Sequence, residues 1–110
     1  MSKRIYNITD KLMTERPVVI IDNEEFEIDD SLVATSKSLE VMADFKMPDG
    51  IFEVLKIHLG EVVADKLKSY GRSLEYYQVV FYAVVAAAQG VEYDEIASRF
   101  QKSAEQHPVL

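Results

Sequence analysis

Few residues in this sequence could do chemistry. His58 and Glu61 stand at i and i+3 in "KIHLGE", a spacing that could bring both to one metal ion. Gly60 interrupts the helical pattern between them, and the only other histidine, His107, lies in the tail. A site with one histidine and one carboxylate is too poor for zinc, so a structural role is favoured for His58. The acidic run "DNEEFEIDD" over 22–30 invites calcium. A calcium loop needs carboxylates at alternate positions, a central glycine and a closing glutamate. Here Phe26 and Ile28 alternate in strand fashion and the run has no glycine, which reads as a solvated hairpin edge. Cysteine is absent, excluding disulfides, thiolate metal sites and cysteine nucleophiles. None of the glycines belongs to a phosphate loop. The sequence predicts no catalytic residue, no cofactor-binding residue and no metal ligand: it is not expected to be an enzyme.

The elements that would position these residues follow from the hydrophobic pattern. At 110 residues the chain has the length of one domain, with 48% hydrophobic and 28% charged residues, a globular balance. A weakly ordered arm is expected over 1–16, a globular domain over 17–103 and a frayed tail over 104–110. The start "MSKRIYNITD" has no apolar run behind its basic pair, so no signal peptide is expected. "PVVII", "DN" and "EEFEI" form a hairpin signal: a two-residue turn at Asp22 and Asn23 would set Val19 opposite Phe26 and Ile21 opposite Glu24. Val19, Phe26 and Ile28 would then face a core.

Everything after Asp29 reads as helix. Asp29 or Asp30 would cap a helix to about Phe45, with Leu32, Leu39, Met42 and Phe45 inward. Asp49 would cap the next helix, and Gly60 would end or bend it. "EVVADKLKSY" follows, with Val63, Leu67 and Tyr70 at helical spacing and Gly71 as its stop. The stretch "SLEYYQVVFYAVVAAAQG", capped by Ser73 and closed by Gly90, is apolar nearly all round. It is too short for a membrane span, which needs about 20 apolar residues, and is expected to be the beam of the core. The last helix puts Tyr93, Ile96, Ala97 and Phe100 on one side, with Glu95 and Arg99 paired on the other. The fold class is therefore α+β, mainly α: an N-terminal β-hairpin on a bundle of four to five helices around a central apolar helix, 74–89.

Tyr76, Tyr77 and Tyr82 give that central helix more aromatic surface than a small core needs, and tyrosine favours interfaces. Its start, Tyr76 and Tyr77, is therefore a candidate partner-binding surface, with Glu24, Glu25 and Glu27 of the hairpin at the rim. The net charge of −7 opposes binding to nucleic acid and suits a basic partner.

Taken in order, "KRIYNITDKLMTERP", the "VVIIDNEEFEI" hairpin, "FEVLKIHLGEVVADKL" and "SLEYYQVVFYAVVAAAQGVEYDEIASRFQ" resemble a known family. It is the small tail assembly chaperones of long-tailed bacteriophages and prophages of Gram-positive hosts. The resemblance runs from about Ile5 to Gln101. It is carried most by "LGEVVADKL" together with "YYQVVFYAVVAAAQGVEYDEIASRF". It implies a non-enzymatic protein of the bacterial host cytoplasm that binds the long helical tape-measure protein and keeps it soluble while the tail tube polymerises. Members are generally absent from the finished particle, and many are also made in a longer, frameshifted form. The residues lead to no expected cofactor, nucleic-acid partner or membrane, and self-association is left open.

Two alternatives come from other classes. "GVEYDEIASRFQKSAEQHPV" is similar to the opening of a helix-turn-helix, which would make the chain a small DNA-binding regulator. The segment that would enter the groove, "SAEQHPVL", has no arginine or lysine. The other alternative is an oligomeric structural subunit.

Overall fold

The computed structural model describes residues 3–12 and 15–106. In it a two-stranded hairpin is followed by five helices. Strand β1, Val18–Ile21, pairs antiparallel with β2, Glu24–Glu27, in the expected register: Val19 opposite Phe26, Ile21 opposite Glu24. Asp22 and Asn23 take positive φ values of 51° and 66°, the mirror-image turn whose twist matches a hairpin. One more backbone bond, Ile28 N–H to the Pro17 carbonyl at 2.9 Å, extends the pairing beyond the strands. Phe26 and Ile28 are buried, and Val19 packs partly against the same core. Ahead of the hairpin, the arm contains one 3₁₀ turn at Thr9–Lys11. The rest of the arm described is irregular.

Helix α1, Leu32–Ala43, departs from expectation in its cap and in its buried face. Ser31, rather than Asp29 or Asp30, is the cap: its hydroxyl accepts the Ala34 N–H at 3.2 Å. Asp29 stands one step back, its carboxylate accepting the Ser31 N–H at 3.1 Å. Leu32 and Leu39, expected inward, point to solvent at 81% and 52% exposure. The buried positions are Ala34 and Ser38, with Val41, Met42 and Phe45 half-buried below them. Small side chains let α1 lie close on α2, and Ser38 is drawn inward by a hydrogen bond to His58.

Helix α2, Asp49–Leu59, carries Asp49 in its first turn, where the helix dipole favours a carboxylate, although its side chain makes no capping bond. Gly50 sits where a Cβ would come within 2.7 Å of the Phe45 ring, so its lack of a side chain lets Phe45 lie on the helix start. Gly60, at φ 89°, ends α2 and opens α3, Glu61–Ser69, which buries Ala64 and Leu67. Tyr70, expected on that inner side, is 40% exposed just past the helix end.

Helix α4, Leu74–Gln89, is capped by Ser73, whose hydroxyl accepts the Tyr76 N–H at 3.2 Å. It closes at Gly90 in the left-handed conformation, with Val91 N–H reaching back to the Ala86 carbonyl at 3.0 Å. It is the beam of the core, touching α2, α5 and β1. It is not enclosed on every side: Val79 is 47% exposed, and Glu75 and Ala83, one turn to either side of it, are not buried.

Helix α5, Tyr93–Gln106, buries Ile96 and pairs Arg99 with Glu95 at 2.7 Å. Its backbone stays helical to Gln106, past the expected boundary at 103, while 107–110 of the expected tail, and His107 with them, lie outside the described residues. Phe100 docks it. The Phe100 ring lies 5.1 Å from Phe81, 5.6 Å from Tyr82 and 5.9 Å from Phe45, and Phe45 stacks on Phe81 at 5.2 Å. This cluster joins the chain just after α1 to α4 and α5. Phe100→Ala should therefore cost about 3 kcal/mol, read as a lowered midpoint in denaturant. An unchanged midpoint would mean that α5 contributes nothing to the cooperative unit.

Candidate partner-binding surface

Alternation along the hairpin separates two faces. Phe26 and Ile28 turn to the core, so Glu25 and Glu27 turn to solvent. Opposite them across the ladder stand Ile20 and Val18, 66% and 47% exposed. The outer face of the hairpin is thus half apolar, on β1, and half acidic, on β2. Beside β1 the chain forms a groove of about 450 Å³ against α4. Its lining combines Val19, Ile20 and Ile21 with Tyr76, Val79 and Ala83, and Asp22, Ser73 and Glu75 supply polar groups. The helix stripe that forms its wall, Glu75, Val79 and Ala83, is the side of α4 left uncovered.

The two tyrosines at the helix start part company here. Tyr76 lines the groove, and its hydroxyl donates to the Asp22 carboxylate at 3.0 Å, tying the helix to the hairpin turn. Burial, then the Asp22 hydrogen bond, pushes its phenol above the usual tyrosine range. The Arg72 guanidinium lies 5.9 Å from the ring, partly offsetting that rise. Tyr77, proposed for the partner surface, is instead buried. Its hydroxyl donates to the Leu67 carbonyl at 2.6 Å and accepts the Arg72 N–H at 3.3 Å. The Leu67 carbonyl, which also takes the Tyr70 N–H at 3.2 Å, thus has a second donor at the end of α3, and the ring lies edge-on to Phe52. A helix with apolar residues on all sides gave no pattern to tell the two tyrosines apart.

The three glutamates are divided as well. Glu24 faces α3 and meets Lys66 at 3.0 and 3.2 Å, a half-exposed pair of small energetic value. That hydrogen bond raises the Lys66 pKa. Glu25 and Glu27 remain on the outer face with Ile20 and Val18. A second, larger concavity of about 670 Å³ opens between β2 and the α2–α3 junction. Arg16 and Lys66 share its lining with Glu24, Glu25, Glu27 and Asp29, so both signs of charge are already present. The apolar groove residues Ile20, Val79 and Ala83 were not singled out from sequence. The outward position of Ile20 follows from the hairpin register and was available as a signal; the opening beside Val79 depends on where α5 and α2 lie.

His58 is a clasp. It is buried in the last turn of α2, and its Nδ1 lies 2.7 Å from the Asp29 carbonyl, which can only accept. Nδ1 therefore carries a proton. In return the Asp29 N–H donates to the His58 carbonyl at 2.8 Å. Nε2 lies 3.0 Å from the Ser38 hydroxyl, itself 3.0 Å from the Thr35 carbonyl. In the neutral ring the Ser38 proton turns to Nε2; in the cation Nε2–H donates and the Ser38 proton turns to Thr35. With both nitrogens bonded to protein oxygens, His58 does not meet Glu61 on an ion. Among the described residues no group of three histidine, aspartate or glutamate side chains converges in a metal-binding arrangement. The backbone of α5 continues through Ser103, where a helix-turn-helix would need its turn. No described helix is long and apolar enough to cross a membrane.

Replacing His58 by leucine strands the Asp29 carbonyl and should cost about 2–4 kcal/mol by denaturant melt, with the dependence on denaturant unchanged. Asp29 adds a pH-dependent contribution. The Ser31 N–H and then the Ser31 hydroxyl hold its carboxyl below the ordinary range, against a smaller opposing effect of burial. A lowered folded pKa stabilises fully above the unfolded value and is lost as pH falls through the folded one. Asp29→Asn should therefore lower the thermal midpoint at neutral pH and lose less of it on acidification than the parent. Parallel midpoint curves would deny Asp29 that role.

No protein-family model matches this chain, and no curated protein or solved structure matches it either.

Proposed function

We propose that this chain is a non-enzymatic assembly chaperone of long-tailed phages, covering apolar stripes of the tape-measure protein in the bacterial cytoplasm until the tail tube takes its place. The observation that carries the reading is the open groove between β1 and α4, apolar within and acidic at its edge. A long helix with a narrow apolar stripe needs a concave apolar strip, and this groove supplies one beside the exposed Val18 and Ile20. Tyr76 is the anchor at one end: an aromatic body against the groove, with its hydroxyl already held by Asp22. Asp22 and Glu75 on the groove, with Glu25 and Glu27 across the ladder from Ile20 and Val18, give the surface a sign that draws a lysine-bearing stripe and disfavours an acidic one. Glu24, held by Lys66, contributes less of that field, and Tyr77 supports the surface from beneath.

Co-expression with a tape-measure protein from a phage of the same host tests the reading. A soluble complex is expected where the tape-measure protein alone precipitates. Reversing Glu25 and Glu27 to lysine should slow association by about tenfold at low salt and flatten its salt dependence, measured by stopped-flow mixing. A tape-measure protein that stays insoluble in the presence of this chain would overturn the proposal. Unchanged association rates in the charge-reversed variant would remove the hairpin from the interface.

A further inference from the structure

The two edges of the hairpin are guarded differently. Ile28 and Pro17 share the last hydrogen bond of the ladder, so the bonded pairs are 17 with 28, 19 with 26 and 21 with 24. The N–H and carbonyl groups of Val18 and Ile20 therefore point to the outer edge of β1, and those of Glu25 and Glu27 to the outer edge of β2. The β2 edge carries three glutamates, one of them paired with Lys66 of α3, and such charges discourage another strand. The β1 edge, Val18 to Ile21, has no charge, no bulge and no proline within it. The sheet has two strands, so among the described residues no strand pairs with that edge. The groove against α4 is lined by β1 and by no residue of β2, so it opens on the unguarded side.

We infer that this groove takes a partner polypeptide in extended form, as a third strand added to the edge of β1. A helix laid there would use the apolar wall and leave the edge groups to water; an extended chain uses both. The uncovered stripe of α4, Glu75 to Ala83, is about 12 Å long at the helical rise, the length of about four extended residues. That is the length of β1. Alternate side chains of the added strand would turn inward against Val79 and Ala83, and the others would lie beside Val18 and Ile20. Asp22 and Glu75 stand at one end of the groove, where Tyr76 is bonded to Asp22. In an antiparallel ladder, the more stable kind, that end receives the start of the segment. The occupant is thus a short apolar stretch led by a lysine or arginine, the sign that Asp22, Glu75 and a net charge of −7 select. This rests on the groove being the partner site proposed above, and adds the form in which the partner is held.

Titration of the isotope-labelled full chain with short capped peptides, followed by NMR, tests it. The first peptide begins with lysine and continues with valine and threonine in alternation. The second has the same side chains, with the amides that would face β1 N-methylated. The first should move the amide signals of Val18 and Ile20 and slow their exchange with solvent. The second keeps the apolar contacts and loses the backbone bonds, so it should bind at least about tenfold more weakly. Val79→Lys, at a half-exposed position, should weaken the first peptide by a similar factor and leave the thermal midpoint near that of the parent. A first peptide that moves no signal at millimolar concentration overturns the inference. So do equal binding of the two peptides, and shifts confined to β2. So does a parent whose β1 edges pair with each other, seen as a dimer with Val18 and Ile20 amides protected before any peptide is added. No tape-measure protein enters this test, so the two readings fail separately. A soluble tape-measure complex with no peptide bound would remove the added strand alone; a bound peptide with an insoluble tape-measure protein would remove the chaperone alone.

Discussion

The exit of the hairpin is fixed by one exchange of hydrogen bonds. A two-stranded ribbon is marginal in water and must be fixed to something larger. Asp29 and His58 do this by trading backbone and side-chain bonds: the Asp29 N–H to the His58 carbonyl, and His58 Nδ1–H to the Asp29 carbonyl. The exchange holds the exit of β2 against the end of α2 at the point where α1 begins. Ser38 brings α1 to the far side of the same imidazole. One buried side chain therefore sets the position of three elements, and the apolar contacts of Phe26 and Ile28 fill in around it. A hydrophobic residue at 58 would fill the space but could not fix the register.

Much of the architecture was legible because its signals are local. A two-residue turn with Asp22 and Asn23 admits one register, and the alternation of Phe26 and Ile28 then chooses the buried face. Ser73 and Gly90 mark the ends of α4 by capping chemistry that needs no tertiary information. The orientation of α1 was legible only in part: Met42 and Phe45 pack on the core as expected, whereas Leu32 and Leu39 do not. Its sequence offers two stripes, one through Leu32 and Leu39 and one through Ala34, Ser38, Val41 and Met42. Hydrophobicity alone favours the first. The second wins because its small residues permit close approach to α2 and because Ser38 completes the bonding of a buried histidine. The role of His58 was half legible: its surroundings opposed a metal, but its partners are far away in sequence.

The candidate surface shows the same division. Tyr76 and Tyr77 are neighbours on a helix whose apolar character runs all round, so their facings differ by about 100° with no pattern to say which is inward. Packing against Phe52 and a hydrogen bond to the Leu67 carbonyl claim Tyr77, leaving Tyr76 to the groove and to Asp22. The acids divide by strand alternation, which the register does predict. Glu24 lies on the core-facing parity and reaches Lys66; Glu25 and Glu27 lie on the other.

The beam helix explains why such a surface exists. A helix that is apolar on every side can be satisfied in a domain of this size only if neighbours surround it completely. Here α2, α5 and β1 pack on it, and the stripe through Glu75, Val79 and Ala83 is left at least partly exposed. The exposed Ile20 and Val18 extend that uncovered strip onto the hairpin. Single exposed apolar residues are ordinary, but these form a concave and continuous strip with carboxylates at its border. Its acids cost nothing to folding where they remain hydrated, and they exclude acidic or purely apolar neighbours from the strip. An occupant of such a strip has to present an apolar stripe bearing basic residues.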